Sequence, residues 1–333
     1  MSGSGDLGVV VIGRNEGERL KRCLASIGTD TPVVYVDSGS TDGSVAAATA
    51  AGARVVALDL SVPFTAARAR NAGRAALGSD VRLIQFVDGD CAIQPGWLDR
   101  ARAALDANPG LAAVFGRRRE VAPDASTYNW LCDVEWAVPP GPTRQFGGDV
   151  MLRVDALDRA GGYPEEMIAG EEPDLSMRLG ALGWRIICLP AEMTLHDAAM
   201  TRFGQWWRRV ERSGHAYAEL EARHPGEYRR RVRAALFWGA AVPGAVALLL
   251  VAAAATRIGW LALAALVVAL LPAVQFVRVA ARERRARPMR DALTWSLFLL
   301  LDKPPHALGI ARYWWSRLRG RRTPLIEYKE RAA

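Results

Sequence analysis

Asp88 and Asp90, with only Gly89 between them, end the apolar run Leu83-Ile84-Gln85-Phe86-Val87. Two carboxylates that close repel each other and resist losing water unless a cation or a proton offsets them. A hard divalent ion with oxygen ligands is therefore their natural partner. An Asp-Gly turn whose carboxylates face water is the other reading of the same residues. Further along, Glu166, Glu171, Glu172 and Asp174 gather four carboxylates within ten residues, too many to bury unpaired. Leu175, Leu179 and Leu182 follow at helical spacing, which puts Glu171 and Glu172 near a helix start. Acidic side chains also sit there simply because the helix dipole favours them.

The elements that would position these groups alternate in type. Val9 to Ile12 reads as a strand running into Arg14-Asn15-Glu16, and Leu20, Cys23, Leu24 and Ile27 recur as one face of a helix. Val33 to Val36 repeats the pattern and leads into Asp37-Ser38-Gly39-Ser40-Thr41-Asp42, followed by an alanine-rich helix to about Ala51. Arg54 to Leu58 predicts a third strand, Thr65 to Leu77 a helix, and Val81 to Val87 the strand before Asp88. Such alternation implies a doubly wound, mostly parallel sheet with helices on both faces. Asp37 and Asp88 then lie on one rim, beyond the strands' carboxyl ends, where ligands collect in open α/β sheets. The loop after Asp37 can present backbone N–H groups to an anion, or serve as a capping turn. Pro95 to about Leu105 predicts another helix and Ala112 to Phe115 another strand, while residues 117–148 read as irregular. No G-x-G-x-x-G or G-x-x-x-x-G-K-[ST] occurs, so dinucleotide-binding and P-loop chemistry are not supported.

Charge is unevenly placed. The net charge is +8 over 333 residues, but residues 234–277 carry one ionised side chain, Arg257. Arginines crowd at 229–233, 278–290 and 312–322, all beside apolar segments. That pattern points to membrane lipids on the cytoplasmic side rather than to nucleic acid. Cys23, Cys91, Cys132 and Cys188 form no C-x-x-C pair, which fits reduced thiols and neither zinc nor a disulfide framework. The first residues lack a basic stretch followed by an apolar one, so no cleaved signal peptide is expected.

Taken in order, Arg14-Asn15-Glu16, the Val36-to-Asp42 loop, Ala69-Arg70-Asn71-Ala72-Gly73, Asp88-Gly89-Asp90 and Gly170-Glu171-Glu172-Pro173-Asp174-Leu175 resemble the inverting family 2 glycosyltransferases of the GT-A fold. The resemblance covers roughly residues 7 to 200. It implies that Glu16 and Asp37 hold the nucleoside of a nucleotide-diphospho-sugar, with Arg14, Asn15 and Ser40 in the same loops. It implies too that Arg70 and Asn71 lie near the diphosphate, and that Asp88 and Asp90 position Mg²⁺ or Mn²⁺ on it. Asp90 is the expected direct ligand; Asp88 binds either the metal or the donor's sugar and ribose. The family's catalytic base corresponds to Glu172, a Glu where Asp is usual, and His196 stands where related enzymes carry a histidine near the metal. The acceptor would meet Gly148, Asp149, Glu171, Trp206 and Arg209. Trp206 and Arg209 read equally as an interface helix, because the Gln/Arg/Trp spacing of processive relatives is not reproduced.

The expected organisation is a catalytic domain over 1–200, amphipathic linker helices over 201–233, two transmembrane helices within 234–277, and a basic segment over 278–333 holding an interfacial or re-entrant helix. The spans 234–255 and 258–277 each approach the ~20 residues a bilayer requires. Pro243 and Pro272 are expected to kink them. Basic flanks place both ends of the hairpin, and the catalytic domain, on the cytoplasmic side of the plasma membrane. The expected reaction is transfer to a hydroxyl of a lipid-linked, polysaccharide or membrane-proximal acceptor. A non-catalytic scaffold of a polysaccharide machine is the rival reading. It has no use for both a metal pair and a base. A nucleotidyltransferase would want a loop rich in glycine and in arginine or lysine after the first strand, which Arg14-Asn15-Glu16-Gly17 matches poorly.

Overall fold

A computed structural model describes residues 5–327, which divide into two compact units, one ending at Phe203 and one beginning at Gly204. In the first, β1 (Leu7–Gly13), α1 (Glu18–Ile27), β2 (Val33–Asp37), α2 (Ser44–Ala50), β3 (Arg54–Ala57), α3 (Ala66–Ala76) and β4 (Leu83–Asp88) follow the alternation read from the sequence. Then come β5 (Cys91–Ile93), α4 (Trp97–Ala107), β6 (Leu111–Glu120), α5 (Thr127–Glu135), β7 (Gly141–Thr143), β8 (Val150–Arg153), α6 (Val154–Arg159), α7 (Glu171–Ala181) and β9 (Arg185–His196).

The sheet order is β3-β2-β1-β4-β8-β6-β9-β5, with β7 beside β9. β1, β2, β3 and β4 are mutually parallel, as the crossovers require, and their side chains are buried on both faces of β1 and β4. The second half is mixed: β8 runs antiparallel to β4 and β6, and β5 and β7 antiparallel to β9. The sheet is therefore mixed rather than mostly parallel. Only Gly89 and Asp90 join β4 to β5, yet three strands separate those two in the sheet. Two residues reach at most about 7–10 Å, so the second half curls back around the turn that carries Asp90.

Residues 117–148, irregular by sequence, contain most of a strand end and a helix. β6 continues through Arg117, Arg118, Arg119 and Glu120 because β9 pairs with it along that length. Charge masked this strand from an apolar-run reading. Gln85, polar within the apolar β4, is buried and accepts the indole N–H of Trp97 at 2.8 Å, so its burial leaves that bond made. Leu182, expected on the buried face with Leu175 and Leu179, is instead the exposed C-cap of α7.

The second unit is helical: α8 (Phe203–Arg223), α9 (Arg229–Leu236), α10 (Val242–Thr256), α11 (Gly259–Glu283), α12 (Met289–Leu301) and α13 (Lys303–Leu318). A π-turn, Phe237–Ala241, joins α9 to α10, so 229–256 is one 28-residue helix. Its Val242 N–H bonds Phe237 O just before Pro243, which has no N–H to donate, and the wider turn absorbs that loss. Pro272 lies inside an uninterrupted α11. Helices 229–256 and 259–283 are long and apolar enough to cross a membrane, and Arg257, in the left-handed region at φ 58°, makes the turn between them. Leu248, Val251, Leu263 and Val277 are all more than half exposed. Asp302 separates α12 from α13, and Pro304 and Pro305 lie in the first turn of α13, where their missing N–H groups cost nothing.

Candidate active site

The parallel register brings Gly13, Asp37 and Asp88 to one rim: Gly13 pairs with Asp37, and Ile12 with Asp88. Loops after β1 and β2 are laced together there. Asn15, at φ 57°, donates its N–H to Ser40 Oγ (2.9 Å) and accepts Thr41 N–H on Oδ1 (2.7 Å). These two bonds hold a left-handed conformation that Asn tolerates better than most residues. Asp37 accepts the N–H groups of Gly39 and Ser40 and the hydroxyl of Tyr35, so its carboxylate shapes the loop it begins. Glu16 is buried and paired with Arg19 at 2.9 Å, and Arg14 lies over the Phe64 ring at 5.0 Å.

Arg70, on the buried face of α3, is the centre of the site. Its guanidinium meets Asp88 at 3.1 Å, Glu171 at 2.9 Å and Glu172 at 3.2 Å, and lies over the Tyr163 ring. Burial alone would disfavour its charge, but Glu172, Asp88 and Glu171 together hold its pKa well above the ordinary value. Asn71, the next residue, faces elsewhere: it donates to Tyr163 O and Glu165 and accepts Tyr163 N–H, pinning the segment before α7.

Gly170, left-handed at φ 89°, starts α7 and turns Glu171 and Glu172 toward Arg70. Glu172 carries the largest perturbation useful to chemistry. Burial and the neighbouring Glu171 push its pKa up to about 7, against the opposing pull of Arg70. A carboxylate there takes a proton readily near neutral pH.

Arg118, which the sequence reading did not single out, completes the far side. It bonds Asp88 at 3.2 Å and both oxygens of Asp149, at 2.7 and 3.0 Å, and packs over the Trp136 ring at 5.3 Å. Asp149 also accepts the N–H of Asp88 and the hydroxyl of Thr194, so this expected acceptor residue is a fully occupied brace. Asp88 is thus clamped between two guanidiniums. At Gly148 a Cβ would stand 2.8 Å from Asp88 Oδ2 and 2.9 Å from Arg70, which is why a residue without a side chain is there. The signal for Arg118 was present: Arg118 and Glu120 are two apart, hence on one face if the strand continues.

Asp90 and His196 form a separate pair, Oδ2 to Nε2 at 3.2 Å, both nearly buried. The far nitrogen of His196 meets Glu120 at 3.1 Å, and the Trp136 indole lies edge-on at 4.5 Å. Burial works against the charged imidazole, but Asp90 and Glu120 outweigh it and raise the pKa of His196. Cys91 Sγ lies within reach of the same point. Burial keeps that thiol protonated, which leaves one carboxylate oxygen and one imidazole nitrogen as the fitting donors for a divalent ion. Trp206 and Arg209, expected at an acceptor site, lie on α8 in the second unit.

Comparison with known proteins bears on the family and the fold. Residues 8–150 match the model of glycosyl transferase family 2. A pre-mycofactocin glycosyltransferase of Mycobacterium tuberculosis is 30% identical over 234 residues, covering 66% of this chain; the chain spans 48% of that relative's length. An uncharacterized glycosyltransferase of Mycobacterium bovis is 28% identical over 185 residues, covering 52% of this chain and 78% of the relative. Among solved structures, a mannosyltransferase from Pyrobaculum calidifontis, in complex with GDP-Man and Mn²⁺, superposes with a TM-score of 0.58 at 20% identity. It covers 94% of this chain and 88% of that one, a likeness of fold. With the ordered motifs on one rim and these matches in agreement, residues 8–150 form a glycosyl transferase family 2 domain.

Proposed function

We propose that the protein is a membrane-anchored, inverting glycosyltransferase. It moves a sugar from a nucleotide-diphospho-sugar to a hydroxyl of a lipid-linked or membrane-proximal acceptor at the cytoplasmic face of the plasma membrane. One observation carries the reading most: Glu172, with its pKa near 7, shares Arg70 with Asp88, so base candidate and donor rim are held by one guanidinium.

The residues divide the work as follows. The laced loops of Arg14 to Glu16 and Asp37 to Thr41 receive the nucleoside. Arg70 and Arg118 fix Asp88 against the donor, and Asp90 with His196 would hold a divalent ion. When bound, that ion neutralises charge on the departing diphosphate. The oxygen and nitrogen donor pair suits Mn²⁺ at least as well as Mg²⁺. Glu172 accepts the proton of the acceptor hydroxyl as that oxygen attacks the anomeric carbon from the face opposite the leaving group, inverting the centre. The two apolar helices tether this unit to a bilayer, which favours acceptors presented there.

A thermal-shift panel of nucleotide sugars, with and without Mn²⁺, tests class, donor and metal together. At least one nucleotide sugar should raise the melting temperature of the purified chain, and Mn²⁺ should enlarge that shift. Asp90→Asn should abolish the Mn²⁺-dependent part. A panel in which no nucleotide sugar shifts melting would refute the reading.

A further inference from the structure

Glu120 ends β6, and its side chain is fully buried. It touches two things, the Nδ1 of His196 at 3.1 Å and the backbone N–H of Ala198, which both its oxygens reach at 3.1 and 3.2 Å. The strand register places it directly opposite His196, while Cys91 of β5 pairs with His196 on the other side. Ala199, one residue beyond that N–H, is left-handed at φ 45°, so the chain turns sharply where Glu120 grips it. A carboxylate on a buried histidine costs desolvation and adds nothing to packing that an apolar side chain could not supply.

We propose that Glu120 is a positioning residue for the metal site. As an acceptor it keeps a proton of His196 on Nδ1, which makes Nε2, beside Asp90, the nitrogen available to an ion. Metal-binding histidines commonly have their outer nitrogen held in this way, and loss of the partner weakens binding about 10–100-fold. The inference rests on the reading of Asp90 and His196 as the metal donors.

Replacing Glu120 by Gln keeps size and an acceptor for Ala198, but adds an N–H₂ that can donate to Nδ1. The imidazole proton would then sit on Nε2, pointing at Asp90 where the ion belongs. Glu120→Gln should consequently be worse for metal binding than Glu120→Ala, an order that a merely structural role does not produce.

The test is Mn²⁺ binding to the purified full chain, read by the electron paramagnetic resonance signal of free Mn²⁺, in the presence of UDP and, separately, GDP. Electron spin echo modulation of the bound ion reads the imidazole nitrogen. Wild type should bind and show that nitrogen, and His196→Ala should lose it. Glu120→Gln should bind ~10–100-fold more weakly with the nitrogen signal reduced. If His196→Ala weakens binding and Glu120→Gln does not, Glu120 has no positioning role while the metal reading stands. If wild type binds no Mn²⁺, or His196→Ala changes nothing, the metal reading fails and takes this proposal with it. Should Glu120→Gln not fold, Glu120→Asp serves, since it keeps the charge but withdraws it from Nδ1 by one methylene; full-strength binding with an intact nitrogen signal there overturns the proposal.

Discussion

Glu172 is unfavourable where it stands. Moving a carboxyl pKa from 4.5 to about 7 corresponds to roughly 3 kcal/mol of opposition to its charge. The raised value fixes two signs. In its proposed role as base, Glu172 works only when deprotonated, so transfer should climb as pH rises through about 7. Its effect on stability is the reverse: the folded chain holds this proton more tightly than the unfolded chain, so the group's favourable contribution is complete below pH 4.5 and is lost as pH passes 7. Glu172→Gln should lower kcat by about 10²–10⁴ while donor binding persists. At pH 8 it should also stabilise the protein, by about 1 kcal/mol, since the side chain is 17% exposed and the ion pair with Arg70 is forfeited. Rate profiles and denaturant melts at pH 5 and pH 8 check both; an unchanged rate would assign the base elsewhere.

Among the elements, α8 and α13 meet with almost no side chain between them. A Cβ on Gly309 would collide with the backbone of Glu211 and lie 2.6 Å from the N of His215, and one on Gly214 would collide with the backbone of His306. Gly239, within the π-turn, lies as close to Lys303 and Pro304 at the start of α13. Three glycines on three segments therefore set how deeply α13 seats. Arg312 of α13 reaches back to the buried Glu211 at 2.7 Å, fixing its register along α8. Gly309→Ala should destabilise the second unit by about 1–3 kcal/mol, as overpacking does. A fall in melting temperature checks it, and Gly244→Ala, where a Cβ meets open space, should leave that temperature within a degree or two. An equal response at both positions would mean that the crossing is not tight.

For the whole molecule, the charge pattern sets the expected topology. Arg229, Arg230, Arg231 and Arg233 lie at the start of the first long helix, ahead of its apolar stretch, and Arg278 to Arg287 lie at the end of the second and just beyond it, while Arg257 alone marks the turn. On the membrane-anchored reading proposed above, the positive-inside rule puts both ends at the cytoplasmic side and the turn at the other. A reporter at residue 257 should be reachable from outside the cell and a reporter fused at the C-terminus should not. Labelling of both from the same side would overturn the two-span reading.

Much of the rim that carries Asp37 and Asp88 was legible from residue order. Strand period, helix period and chain direction are local properties, and right-handed crossovers leave few ways to assemble them; that is why Asp37 and Asp88 could be placed on one edge before any contact was known. What only the tertiary structure decided are the partners. Arg118 reaches Asp88 across 30 residues, and Glu120 reaches His196 across 76. No periodicity encodes such pairs, because they arise where β6 and β9, each partly charged, pair in a sheet that curls back on itself. The turn at Asp88-Gly89-Asp90 shows the difference most plainly: its residues suggested a single acidic pair, whereas the fold sends Asp88 to two arginines and Asp90 to a histidine.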